Sequence, residues 1–264
     1  MKRIKKKFAI LRAKNEKALI VYLTAGDPSL SITKQLIFAL EKAGVDILEI
    51  GVPFSDPTAD GLVIQEASQR ALKAGTTLEG VLDLVVEVRK VSEIPIVLFG
   101  YFNPIFAYGA KKFSQAAHAA GVDGVLVVDL PYEEAKELRI FTDTVGIDFI
   151  SLIAPTTDAK RLSKIAAKAT GFLYYISITG ITGTAAPKID NIKTEVGKIR
   201  KITNLPIAVG FGISRPQQAR EIARFANGVI VGSAVVRLID ENKNNKDLLK
   251  IVSDYVSEIK KALR

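Results

Sequence analysis

A closed parallel β/α barrel is the fold this sequence predicts, on three observations. Short apolar runs of strand length alternate with segments of helical period along the chain, eight such strands are found, and no linker or low-complexity tract interrupts them. With 264 residues, 48% of them hydrophobic, the chain can bury a core of barrel size. Pro and Gly stand between the periodic segments, so one domain over 1–264 is expected. A basic N-terminal helix is placed at about 2–14 and the barrel at about 18–264.

The first strand runs from Leu19 to Thr24 and ends in the turn cluster Ala25-Gly26-Asp27-Pro28. Ile32, Leu36, Leu40 and Ala43 then recur at helical spacing, with Ser31 placed to cap the start and Gly44 the end. The second strand lies in DILEIGVPFSDPTADG, residues 46–61, followed by two helical segments; the later one opens with Thr76 and Glu79 in capping-box spacing. Pro95 to Phe99 is the third strand and runs into Gly100, Tyr101, Phe102, Asn103 and Pro104. After a helix from Lys111 to Ala120 comes the fourth, Val125 to Val128, ending at Asp129. Phe149–Leu152, Phe172–Ile176, Pro206–Val209 and Val229–Val231 complete the eight, with Ser214 expected to cap the helix between the last two. An internal repeat marks the helix-to-strand joints: Ala43-Gly44-Val45-Asp46 matches Ala120-Gly121-Val122-Asp123, and Ala226-Asn227-Gly228-Val229 echoes both.

Composition excludes several chemistries. The chain has no Cys, so disulfides, thiol nucleophiles and thiolate metal sites are out, and its one His, His118, falls near a helix C-terminus. No metal site and no cofactor are expected. The net charge of +9 is concentrated near the two ends without a nucleic-acid module or interleaved aromatics, which favours solvated helix faces over a nucleic-acid partner. No run has the length of a signal-peptide core or a membrane span, so a cytoplasmic protein without membrane association is expected.

In such a barrel the chemistry gathers at the C-terminal ends of the strands, here Thr24, Glu49, Tyr101 and Asp129. No Lys stands among them, which argues against a Schiff base. Glu49 is set in an apolar strand and alternation turns it into the barrel, where a carboxyl is costly unless used or paired; Asp60 follows in the next loop. Read blandly, these acids are a salt-bridged strand end and a set of turn formers. Read as chemistry, they are an acid-base pair. Late glycine loops, at residues 179–183, 210–214 and 232–234, fall where barrels bind phosphate through backbone N–H groups and a helix N-terminus, pointing to a phosphate ester.

LTAGDP (23–28), EIGVPFSDPTADG (49–61), TGITG (179–183), GFGIS (210–214) and GSA (232–234) together resemble the tryptophan synthase alpha chain family over nearly the whole chain. The resemblance implies a single-domain (β/α)8 TIM barrel with an extra N-terminal helix. The activity it implies is cleavage of indole-3-glycerol phosphate to indole and glyceraldehyde 3-phosphate. By the family's pattern Glu49 is the general acid-base and Asp60 holds the indole nitrogen. Tyr22, Phe99, Tyr101, Tyr174 and Thr182 line the substrate, and Gly183, Gly212, Gly232 and Ser233 bind its phosphate. Pro53, Asp56, Pro57 and Asn103 face a pyridoxal-phosphate-bearing beta chain. The stretch from Ile178 to Asn191 is expected to be a lid, helical only from Ile192. The chain departs from the pattern at Thr58, Leu62 and Val63, and at Tyr22 and Phe99, which are larger or more polar than usual. The alternatives are another phosphate-binding barrel lyase or isomerase, and a non-catalytic allosteric subunit. Indole-glycerol-phosphate synthase would need a strand-end Lys.

Overall fold

A computed structural model describes residues 2–176, 189–210 and 212–264. Its strands are β1 (Ala18–Thr24), β2 (Ile47–Gly51), β3 (Ile96–Gly100), β4 (Gly124–Val127), β5 (Asp148–Phe149), β6 (Ser151–Ile153), β7 (Leu173–Ile176), β8 (Ile207–Gly210) and β9 (Gly228–Val231). All pair in parallel, in the order β5-β4-β3-β2-β1-β9-β8-β7-β6. The nine are eight barrel staves: the run expected as Phe149–Leu152 is broken at Ile150, whose N–H still donates to Val125 O at 2.9 Å. β5 pairs with β4 and β6 with β7, so the ring closes through that residue.

The helices are α1 (Arg3–Ala13), α2 (Leu30–Lys42), α3 (Leu62–Lys73), α4 (Leu78–Arg89), α5 (Phe102–Tyr108), α6 (Ala110–Ala120), α7 (Lys136–Val145), α8 (Ala159–Lys168), α9 (Ile189–Arg200), α10 (Pro216–Ala223), α11 (Ser233–Asn242) and α12 (Leu248–Lys261). Several caps differ from expectation. Ser29, not Ser31, caps α2: its backbone is extended and its Oγ accepts from Ile32 N. Thr77 replaces Thr76 at α4, because Thr76 is buried against the loop after β1 while Thr77 Oγ1 accepts from Gly80 N. α10 starts at Pro216 after Arg215, and the Gln218 side chain of its first turn reaches back to the two residues before the helix, accepting from Ser214 N and Arg215 N at 3.0 Å, while Ser214 is not the cap. A short helix, α5, follows β3, and α9 begins at Ile189, three residues before Ile192.

Two apolar layers follow from strand alternation. One lies between the strands and the outer helices; the other fills the barrel with Ala18, Ile20, Ile47, Val97, Leu126, Ile150, Phe172, Ala208 and Ile230. The floor of the barrel is closed by α1, which buries Ile4, Phe8 and Leu11 there, with the Phe8 and Phe172 rings 5.8 Å apart. Burial of each such side chain stabilises by about 1.5–3 kcal/mol.

The internal repeat is a clasp on this floor. Asp46 Oδ2 accepts from Leu19 N and Asp123 Oδ2 from Ile96 N, both at 2.9 Å, so each Asp holds the start of the preceding strand. Asn227 Oδ1 does the same for Ile207 N at 3.1 Å, so Asn227 stands in register with the two Asp residues rather than with the glycines. The repeated glycines have φ of +100° at Gly44 and +90° at Gly121, a conformation that favours glycine. They also leave room for a cation: an added Cβ would lie 3.0 Å from Lys260 at Gly44 and 2.9 Å from Arg89 at Gly121. Lys260 pairs with Asp46, and Arg89 with Asp123, each at 2.7 Å. The motif therefore supplies the turn, the space for the cation and its carboxylate together.

Candidate active site

At the opposite, C-terminal end of the barrel, alternation brings inward Tyr22 and Thr24 from β1, Glu49 and Gly51 from β2, Phe99 from β3 and Tyr174 from β7. Tyr22 lies directly across from Glu49 in the β1–β2 register. Its ring meets Phe99 edge-on at 5.2 Å, and its hydroxyl accepts from Thr24 Oγ1 at 3.3 Å.

Glu49 is 0% exposed, and among the described residues neither carboxyl oxygen has a hydrogen-bond partner. Burial alone pushes its pKa from 4.5 to about 8. A buried polar group left unpaired costs about 1–3 kcal/mol, which marks a group kept for use. Asp60 lies in the loop between β2 and α3. Tyr101 Oη donates to its Oδ2 at 2.9 Å and accepts from Ala59 N at 3.0 Å, so the phenol fixes the loop and its carboxylate at once. Desolvation raises the Asp60 pKa to about 6, against the opposing effect of the Tyr101 bond. The Tyr174 phenol is raised well above its ordinary value, first by burial and then by the charges of Glu49 and Asp60. Two carboxyls of unequal, elevated pKa thus share one phenol-lined pocket.

Glycines make that lining possible. A Cβ at Gly51 would lie 2.1 Å from Tyr22 Oη, and one at Gly210 would lie 2.6 Å from Tyr174 Oη. Neither stood out among the expected site residues, because a strand-end glycine reads equally as the start of a turn. Among the described residues, Gly212 sits at φ +62° with no atom within 4 Å of where a Cβ would lie, and α11 begins at Ser233 after Gly232 with no side chain capping its N-terminus, leaving backbone N–H groups for an anion. Thr182 and Gly183, and most of the expected lid, lie outside the described residues. Asp129 Oδ1 accepts from Phe102 N at 2.8 Å, at the start of α5, and the charge of Asp129 adds to the upward shift of the Tyr101 phenol. Of the residues expected to face a partner, Asp56 and Asn103 are exposed and Pro57 is half-buried, whereas Pro53 is buried and can act only by shaping the loop. Among the described residues no cluster of His, Asp or Glu could hold a metal ion, and no helix is long and apolar enough to cross a membrane.

A family model described as tryptophan synthase alpha chain matches residues 8–264. The chain belongs to the tryptophan synthase alpha chain family. A curated family member from Citrifermentans bemidjiense is 49% identical over 263 residues, covering 100% of this chain and 98% of that one. The crystal structure of tryptophan synthase subunit alpha from Legionella pneumophila superposes with a TM-score of 0.94 at 41% identity, over 100% of this chain and 98% of that one. A chain of the tryptophan synthase a2b2 complex from Pyrococcus furiosus, described in terms of mutual activation, gives 0.85 at 40% identity, over 92% and 98%. The eight-stave barrel is accordingly an architecture that the chain shares with solved members of the tryptophan synthase alpha chain family.

Proposed function

We propose that Glu49 and Asp60 carry out the cleavage of indole-3-glycerol phosphate, the reaction of this lyase family in tryptophan biosynthesis, and that the chain works in complex with a beta chain. The observation that carries the assignment is the pair of carboxyls with unequal pKa values, about 8 and about 6, in one pocket. Near neutral pH Glu49 is largely protonated and Asp60 largely ionised. Glu49 can give its proton to C3 of the indole ring, turning the ring into an electron sink while Asp60 holds the ring N–H as positive charge develops. The bond from C3 to the glyceryl chain then breaks and its electron pair restores the aromatic ring. The glyceryl hydroxyl becomes the aldehyde and returns its proton to Glu49, so the step is balanced without lysine or metal. Tyr22, Phe99 and Tyr174 enclose the ring. The phosphate is assigned to the N-terminus of α11 at Gly232 and Ser233 with Gly212 beside it; Thr182 and Gly183 remain part of this assignment by family pattern. A cytoplasmic location fits a biosynthetic enzyme of this kind.

Incubation with indole-3-glycerol phosphate, with and without a beta chain, followed by an indole assay, tests the activity. Glu49→Gln keeps the shape but moves no proton, so indole release should fall by at least about 100-fold while substrate still binds. Near-normal turnover in that variant removes Glu49 from the role.

A further inference from the structure

Arg70 belongs to no part of the site described above, yet it touches three elements that each carry a piece of it. From α3 its Nε and Nη2 donate to the two carboxyl oxygens of Asp27, both at 2.8 Å, and its Nη1 lies 3.3 Å from Asp240 Oδ1. Asp27 sits in the loop after β1, three residues beyond Thr24, and its side chain is only 2% exposed. Asp240 lies on α11, whose N-terminus is Ser233. α3 itself begins two residues after Asp60, and Gln65 Nε2 of its first turn donates to Asp60 O at 2.8 Å.

We infer that Arg70 is a positioning residue for the cleavage reaction: it joins the β1 loop, α3 and α11 so that Tyr22, Asp60 and the phosphate-side helix keep one relative placement. The inference rests on the function proposed above. Packing alone is a weak guarantee of that placement. The apolar contact among the three elements is a small cluster of Tyr22, Ile64, Ala67 and Val236, flanked by Val63 and Phe99. Such a patch resists separation but not sliding. Arg70 follows Ala67 by one turn on the same helix, so its fork lies at the edge of the cluster and adds direction to it. A bidentate guanidinium–carboxylate pair fixes angle as well as distance, and a lysine cannot reproduce it.

A pair retained only for stability would behave differently, and the barrel supplies the comparison. Arg89 pairs with Asp123 at 2.7 Å on the floor, with its side chain 10% exposed, at the end away from the pocket. Steady-state kinetics of Arg70→Gln, Arg70→Lys and Arg89→Gln with indole-3-glycerol phosphate should separate the two roles. In Arg70→Gln, KM should rise roughly tenfold with kcat also reduced, as expected when reacting groups shift by a fraction of an ångström, and Arg70→Lys should recover only part of the loss. Arg89→Gln should lower the melting temperature while leaving both constants within about twofold of the parent. Amide hydrogen exchange gives a readout independent of turnover. Exchange at residues 52–61 and at the start of α11 should quicken in Arg70→Gln but not in Arg89→Gln.

Kinetic constants for Arg70→Gln within about twofold of the parent, or exchange at those two segments unchanged, overturn the proposal. If Arg70→Gln does not fold, Asp240→Asn, which weakens the more exposed of the Arg70 contacts, must show the same exchange pattern in weaker form, with Lys243→Gln as the control for the Asp240–Lys243 pair that the substitution also weakens; unaltered exchange in Asp240→Asn is equally decisive against it. A parent protein that leaves the substrate intact refutes the proposed activity, and the exchange comparison still decides the role of Arg70.

Discussion

The carboxyl of Glu49 makes the pocket and weakens the fold, and pH separates the two effects. Its folded pKa of about 8 lies above the 4.5 of a free side chain, so protonation favours the folded state. The stability tied to this group is fully present below pH 4.5 and is lost as pH rises to about 8. The loss is at most about 5 kcal/mol by linkage. Asp60, raised to about 6, acts in the same direction over a narrower range. Glu49→Gln should therefore gain stability relative to the parent between pH 5 and 8.5, read as diverging urea midpoints; parallel midpoints would show that Glu49 is not held protonated by burial. The same values give a rate prediction. The productive form has Asp60 ionised and Glu49 protonated, so kcat/KM should follow a bell with limbs near 6 and 8. A profile flat across that interval would remove the assignment of roles.

At the scale of elements, the two ends of the barrel do different work. α1 stabilises without taking part in chemistry: Phe8→Ala leaves a void beside Phe172 and should cost about 3–5 kcal/mol in a denaturant titration, with kcat of the folded fraction unchanged. A matching fall in kcat would mean that the floor communicates with the pocket. β2 is the opposite case. Gly51→Ala would drive a methyl to 2.1 Å from Tyr22 Oη, displacing a pocket ring, so both melting temperature and kcat/KM should drop. Gly197→Ala in α9, with nothing among the described residues within 4 Å of the new Cβ, is the control and should be neutral or stabilising by up to about 1 kcal/mol. Equal responses at the two glycines would show that the close approach at Gly51 is not restrictive.

For the whole molecule, the question is how the partner reaches the pocket. The loop from Val52 to Gly61 bears exposed Asp56 near its middle and Asp60 near its end, where Tyr101 Oη bonds both Ala59 N and Asp60. A beta chain pressing on Asp56 would bear on the carboxylate through four residues of backbone. Asp56→Ala should thus leave the basal rate of the isolated chain within about twofold, since Asp56 touches no pocket group, yet reduce activation by a beta chain roughly tenfold. Binding linkage requires that substrate then tighten the partner less in the variant than in the parent, which calorimetry can measure. Full activation of Asp56→Ala would move the coupling to another surface, with Asn103 on α5 the next residue to test.

Local pattern was enough for much of this protein. Strand-helix alternation, the inward turn of Glu49 and the repeated Gly-Val-Asp joint all follow from periodicity and residue type, which act over a few neighbours. The caps fell one or two residues from their expected places because Ser, Thr and Pro compete locally, and tertiary packing decides which backbone is extended, as burial of Thr76 hands α4 to Thr77. Long-range pairing was out of reach of any pattern. Lys260 finds Asp46 across 214 positions and Arg70 finds Asp27 across 43, and no periodicity names either partner. The sequence by itself determined the barrel and its two acids. Only the folded chain decided that Glu49 has no hydrogen-bond partner among the described residues, that Tyr22 and Tyr174 occupy the space left by Gly51 and Gly210, and hence where the two pKa values lie. The physical reason is that desolvation is a property of everything that surrounds a group, and those surroundings are assembled from all parts of the chain.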